Sequence, residues 1–322
     1  MKFLKYSLAI CLASLLFSQG DSKALLKYAP MDANMISYFN FKDLVKSEFF
    51  QKNGSDITKK FNTKGDSAYM EFVQATGFKI NEDIHELMVS ARADASKKNA
   101  SFVLAAKGRF PEKKLVDYVN MQINKEGRKG RIEAAKVQGV SSYYLYDRHD
   151  DEHKILVSFL SETMILAGED QAVENALKQS KSVLDNDKMM ALIEGVKYPR
   201  QLFGIVNVEQ IDADDKFMMR AKKLINYITV SADFDDELKM NLNGESTNDE
   251  NAIEIEKLVN GMLAMARLTV SDDRDFIDFM NEINVSRDGK NVEVSVEVNQ
   301  DRVDKLKRFL QREDRVRIRR KS

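Results

Sequence analysis

A chain of 322 residues, 43% hydrophobic and 31% charged with only three prolines, is long enough for one large core or two ordinary ones and too apolar to stay disordered. Its 50 basic and 51 acidic residues give a formal charge of -1, which excludes a global field for nucleic acid or for an acidic substrate. The single cysteine, Cys11, excludes a disulfide scaffold.

Residues 1–20 begin with Lys2 and Lys5, continue through an apolar run from Tyr6 to Phe17 and end in Ser18, Gln19 and Gly20. That order predicts a cleaved secretory signal peptide and a periplasmic or extracellular protein. The run is too short to span a bilayer of roughly 30 Å, and no later segment is apolar for longer, so no transmembrane helix is expected in the mature chain. Lipid anchoring at Cys11 is disfavoured because Ile10, before it, is bulky and Leu12 to Phe17 after it stay apolar. Cleavage near Gly20 removes Lys2 and Lys5, leaving 48 basic against 51 acidic residues and no cysteine, which excludes thiol catalysis.

Beyond the signal, periods of two and about 3.6 alternate, which predicts mixed α and β structure. Tyr69, Phe72 and Val73, closed by Gly77, mark a helix. Pro111 followed by Leu115, Val116, Val119 and Ile123 marks the next. Ile228 to Phe234 and Leu238 to Leu242 alternate as half-buried antiparallel strands. A longer helix begins near Ser246 to Asn248 and turns Ala252, Ile255, Leu258, Val259, Met262 and Ala266 inward. Glu282 to Asn299 forms a hairpin around the tight-turn pair Asp288-Gly289, and Val303, Leu306 and Leu310 define a last helix.

An internal repeat organises these elements. LKYAPMDANMISYFNFKDL, from Leu26, is echoed by VKYPRQLFGIVNVEQI, from Val196; Val89-Ser90-Ala91 falls on Val230-Ser231-Ala232, Gly108 on Gly244, and Val119-Asn120 on Val259-Asn260. The shared order predicts an α+β chain of two related units, each a mainly antiparallel sheet with helices packed on one face. The expected boundaries are 21–190 for the first unit, 191–311 for the second and 312–322 for a basic tail. Tyr28, Pro30 and Ala33 entering a strand, then FVQATGFKINEDIHELMVSA and FVLAAKGRFPEKKLVDYV, resemble large families of exported bacterial proteins of unknown function. That resemblance implies a duplicated α+β exported protein and carries no functional residues.

RHDDEHK, from Arg148, places His149, Glu152 and His153 in the H-x-x-E-H pattern of inverzincin metallopeptidases. Two histidines four apart converge on one zinc only on a helix, whereas the flanking segments, 139–146 and 154–160, are rich in β-branched and aromatic residues. A charged hairpin tip is therefore the favoured reading and a metal-dependent hydrolase the alternative. His85 is read as a half-exposed residue at a strand entrance. The G-x-S-x-G, phosphate-loop and dinucleotide signatures are absent from the sequence, and no catalytic residue or cofactor is expected. Acidic clusters at Asp212 to Asp215, Asp233 to Glu237 and Asp272 to Asp275 read as turns and helix starts rather than calcium loops. Arg312, Arg315, Arg317, Arg319, Arg320 and Lys321 form a basic end suited to an anionic lipid, glycan or protein. Without interleaved aromatics it is poorly suited to nucleic acid. The expectation is thus an exported, non-enzymatic binding or structural protein with a partner in the envelope or outside it.

Overall fold

The computed structural model describes residues 22–52, 66–92, 101–125, 131–146, 154–197, 201–211, 216–269 and 274–305. Residues 1–21, the His149/Glu152/His153 cluster, Asp212 to Asp215, Asp272 and Asp273, and the chain from Leu306 onward, Arg312 to Lys321 included, lie outside them.

In the first half the described elements are α1 (Ser22–Leu26), β1 (Met35–Asn40), α2 (Phe41–Lys46), α3 (Asp66–Thr76), α4 (Ile80–Asp83), β2 (Ile84–Arg92), β3 (Ser101–Gly108), α5 (Glu112–Lys125), β4 (Arg131–Val137), β5 (Val140–Tyr146), β6 (Lys154–Ser161), β7 (Met164–Glu169), α6 (Asp170–Lys178) and α7 (Asp187–Glu194). The second half has β8 (Leu202–Asn207), α8 (Lys216–Leu224), β9 (Ile225–Phe234), β10 (Glu237–Ser246), α9 (Asp249–Thr269), α10 (Arg274–Asn281), β11 (Ile283–Asp288) and β12 (Asn291–Asn299). The fold is α+β: the twelve strands form one sheet in the order β11-β12-β10-β9-β8-β1-β2-β3-β7-β6-β5-β4, and every neighbouring pair is antiparallel.

The two expected units therefore share one continuous sheet, joined where β1 pairs with β8. Ser37 lies opposite Gly204 at the middle of that pair. The hydrogen bonds around it recur on both sides. The Asn40 amide donates to the Gln201 carbonyl at 3.2 Å, and the Asn207 amide donates to the Asn34 carbonyl at 2.8 Å. Each of these asparagines also accepts a local bond three residues on, from the Asp43 amide to Asn40 Oδ1 at 3.0 Å and from the Gln210 amide to Asn207 Oδ1 at 3.2 Å.

Helices cover both faces of the first half, not the single face that the sequence suggested. Val103 and Ala105 of β3 pack with Ala172, Val173 and Ala176 of α6. Ala106 packs the opposite way, among Phe78, Phe110, Leu104, Leu115 and Val116 beneath α3 and α5. The cause is local: Val103-Leu104-Ala105-Ala106 has no polar residue to alternate with the apolar ones, as is usual in a strand buried on both sides. Phe39 of β1 joins Leu202, Ala232, Phe234, Val298 and Val303 in a third cluster that spans the two halves.

The long helix α9 starts where expected, with Asn248 Oδ1 accepting from the Asn251 amide at 2.8 Å. Its inward set needs correcting. Ala252 is fully buried, but Leu258 is 63% and Met262 62% exposed, beside Met265 at 69% and Leu268 at 78%. The apolar arc of this 21-residue helix is wider than one sheet surface can cover. The β11–β12 hairpin closes at Gly289 with φ of 53°, a value that glycine adopts without a Cβ penalty. Among the described residues no helix is long and apolar enough to cross a membrane.

Candidate functional site

No catalytic residue is expected from the sequence, and the candidate site is a cleft. β5 and β6 pair antiparallel up to Tyr146 opposite Lys154, and His149, Glu152 and His153 lie outside the described residues. His85 is the second residue of β2 and half-buried. Asp235 and Asp236 connect β9 to β10, and Asp275 sits in the first turn of α10, both as read from the sequence. No group of three or more His, Cys, Asp or Glu side chains suited to a metal ion occurs among the described residues.

A cleft of about 620 Å³ opens instead at one end of β2 and β3. Its walls come from the turn Pro30-Met31-Asp32 between α1 and β1, from Ser90 to Arg92 of β2, and from Ser101 and Phe102 of β3. Ala172, Asn175 and Gln179 from the α6 region, with Asn186 and Gln210, complete it. The turn is placed by side-chain amides. Gln179 Nε2 donates to the Lys27 and Ala29 carbonyls at 3.4 and 3.5 Å, and Asn186 Nδ2 donates to the Met31 carbonyl at 3.1 Å. Asn34 Nδ2 donates to the Gln210 carbonyl at 3.3 Å, joining the same turn to the end of β8. Ser90, wholly buried, donates from Oγ to the Val103 carbonyl at 3.3 Å.

Charge in the lining is balanced. Arg92 pairs with Asp32, both side chains more than half exposed, which places the pair among those worth at most about 1 kcal/mol to stability. Glu169 Oε2 caps α6 by accepting from the Ala172 amide at 3.0 Å, and Ser101 Oγ lies 3.5 Å from the same oxygen. The apolar part is Pro30, Met31, Ala91, Phe102 and Ala172.

Groups with displaced titration lie elsewhere. Tyr144 is pushed up to about 12, first by burial and then by its hydrogen bond to Glu174. Burial likewise pushes Tyr143 up, its hydroxyl donating to Glu112 Oε1 at 2.9 Å. Hydrogen bonds from Lys178 and Tyr144 hold Glu174 below the usual carboxylate range, against burial. None of these side chains lines the cleft. Its chemistry is amide, hydroxyl and one ion pair, groups that orient a ligand by hydrogen bonding.

No protein-family model matches this chain, and no curated protein matches it. The solved structure of TP0453, in crystal form I, is similar to it at a TM-score of 0.42 and 10% sequence identity, over 86% of this chain and 94% of that one.

Proposed function

We propose that this is an exported, non-enzymatic binding protein of the cell envelope, built by duplication of an α+β unit, whose ligand occupies the cleft between α6 and the ends of β2 and β3. The observation that carries the binding reading is the lining: the amide residues Asn175, Gln179, Asn186 and Gln210 and the Asp32–Arg92 pair around an apolar floor. Its volume lies in the range of small-molecule sites, roughly 300–1,000 Å³. A lining of matched charge and uncharged amides fits a polar, zwitterionic molecule such as a short peptide, with Arg92 taking its carboxylate and Asp32 its ammonium.

Duplication is supported by topology and spacing. From the central pair the strands run outward as β1-β2-β3 on one side and β8-β9-β10 on the other. Each triplet is followed by a helix, α5 or α9, and by a returning strand that closes on its third member, β7 on β3 and β12 on β10. The paired hydrogen bonds at the centre obey one offset, 201 less 34 and 207 less 40 both being 167. Ser37 and Gly204 share it, as a two-fold relation through that pair requires. Export rests on the first twenty residues, and its check is the N-terminal sequence of the protein recovered from a periplasmic or culture fraction, expected to begin near residue 21.

Titration with a panel of dipeptides, followed by thermal shift and calorimetry, tests the cleft. A bound dipeptide is expected to lose at least tenfold in affinity in Arg92→Ala, the effect of deleting one charge-assisted hydrogen bond at about 1.5–3 kcal/mol. The unliganded melting temperature should stay close to wild type, because the Asp32–Arg92 pair is exposed. Binding indifferent to Arg92→Ala and to Asn175→Leu would move the ligand out of the cleft. Turnover of any of these probes would overturn the non-enzymatic reading.

A further inference from the structure

The outer face of α9 presents Leu258, Met262, Met265 and Leu268, each with well over half its surface in solvent. Together they form an apolar patch on the order of 500 Å², near the top of what monomers leave uncovered. From Leu258 to Thr269 the helix carries a single charge, Arg267, whose Nη2 donates to the Met280 carbonyl at 2.9 Å. Gly261 lies within this run, and a Cβ built there meets no atom within 4 Å. Glycine is the least favourable helix residue after proline, so its place here is not explained by packing inside the molecule. What it offers is room for a second backbone to come close.

Charge selects the occupant. Outside the apolar run α9 carries Asp249, Glu250, Glu254 and Glu256 against Lys257, with Arg267 inside it. Helices that lie on membrane surfaces carry Lys and Arg on their polar side, and this net acidic helix is instead repelled by anionic headgroups. Against a second copy the same distribution is self-complementary when the helices run antiparallel. The two acidic first turns then lie at opposite ends, the helix dipoles oppose one another, and the two Leu258–Thr269 runs, each with Arg267 as its one charge, meet in the middle. A helix of 21 residues is about 30 Å long, and with its polar flanks the footprint approaches the roughly 800 Å² per partner of a stable association.

We propose that the outer face of α9 is a homodimer interface, two copies packing their α9 helices antiparallel about a two-fold axis at the middle of the Leu258–Thr269 run, which brings Met262 of one copy opposite Met265 of the other and keeps Gly261 close to the axis. Sedimentation velocity on the purified protein between about 1 and 100 µM tests it. The expected result is a concentration-dependent species of twice the mass of the single chain, weakened at least a hundredfold by Leu258→Glu with Met262→Glu. These side chains are exposed, so circular dichroism and the unfolding midpoint in dilute solution should not change. Gly261→Leu provides an arm that a folding defect cannot imitate: the monomer becomes more stable because a better helix former enters open space, while dimerisation weakens at least tenfold. A chain that stays monomeric at 100 µM overturns the proposal, as does a dimer indifferent to both variants. A monomer that floats with phosphatidylcholine vesicles through Leu258 and Met262 replaces the second copy with lipid.

Discussion

Gly108→Ala is expected to lower the melting temperature by roughly 5 °C, about 3 kcal/mol, at about 1.6 °C per kcal/mol in a chain of about 300 residues. Gly108 ends β3 opposite Ile84, and a Cβ there falls 2.0 Å from the Asp83 carbonyl oxygen and 3.1 Å from the Phe110 ring. The oxygen cannot retreat cheaply, because it accepts from the Arg109 amide at 2.8 Å. Nor can Gly108 move away, because its own amide donates to the Thr163 carbonyl at 2.9 Å. Gly244→Ala is the control. Its sequence neighbours made it the repeat partner of Gly108, yet a Cβ there meets nothing within 4 Å, so alanine should be neutral or stabilising by up to about 1 kcal/mol. Calorimetric melts of both variants decide the matter. If Gly108→Ala melts within 2 °C of wild type, the close approach of the two backbones does not constrain the fold.

That contrast also marks how far the sequence can be read. Short-range signals located elements well: the alternation in Ile228 to Leu242 became β9 and β10, Asp288-Gly289 became the turn before β12, and Gly77, at φ of 67°, closes α3. These features depend on a few neighbouring residues. The arrangement of elements depends on partners far along the chain, which local patterns do not encode. Two helix layers over the first half were implicit in the unbroken apolar run of β3, but such a run does not say what covers it. On α9 the period of 3.6 identifies the helix, but an apolar arc wider than the available sheet looks the same in sequence as a buried one, so the pattern does not show that Leu258 and Met262 face outward. The cleft was the least legible part. Pro30, Arg92 with Phe102, Gln179 with Asn186, and Gln210 lie on stretches of chain separated by tens of residues and meet only through strand pairing and the side-chain bonds to the Pro30 turn. Singly, an asparagine or glutamine at a helix end reads as a cap, and Asn186 does cap α7, accepting from the Met189 amide at 3.1 Å.

Asp83 carries the second large expectation. Only 7% of its side chain is exposed, while 63% of that of Arg109 is, so the carboxylate is the buried partner. Arg109 grips it with two bonds, Nε to Oδ1 at 2.7 Å and Nη2 to Oδ2 at 3.0 Å, and the Lys79 amide donates to Oδ2 at 2.6 Å. Burial pushes the carboxyl up and is the largest single influence, but the bonds from Arg109 and Lys79 and their positive charges together outweigh it and hold Asp83 below the usual carboxylate range. A carboxylate whose folded pKa lies below its unfolded value, about 3.9, stabilises the fold at pH above that value, and the contribution is lost as pH falls through the folded pKa. Asp83→Ala should therefore cost about 2–3 kcal/mol at pH 7, toward the low end for a broken pair because the guanidinium left behind can be hydrated. Urea midpoints measured at pH 7 and pH 3 should show the gap between wild type and variant narrowing in acid. Arg109→Ala removes the other partner and should cost at least as much at pH 7, since it leaves a buried charge with only the Lys79 amide and more distant cations. Its stability should also fall less on acidification than that of wild type, because burial then dominates and protonation relieves it. Equal losses on acidification in wild type and Arg109→Ala would mean that Arg109, exposed as it is, does not hold the carboxylate in its charged form.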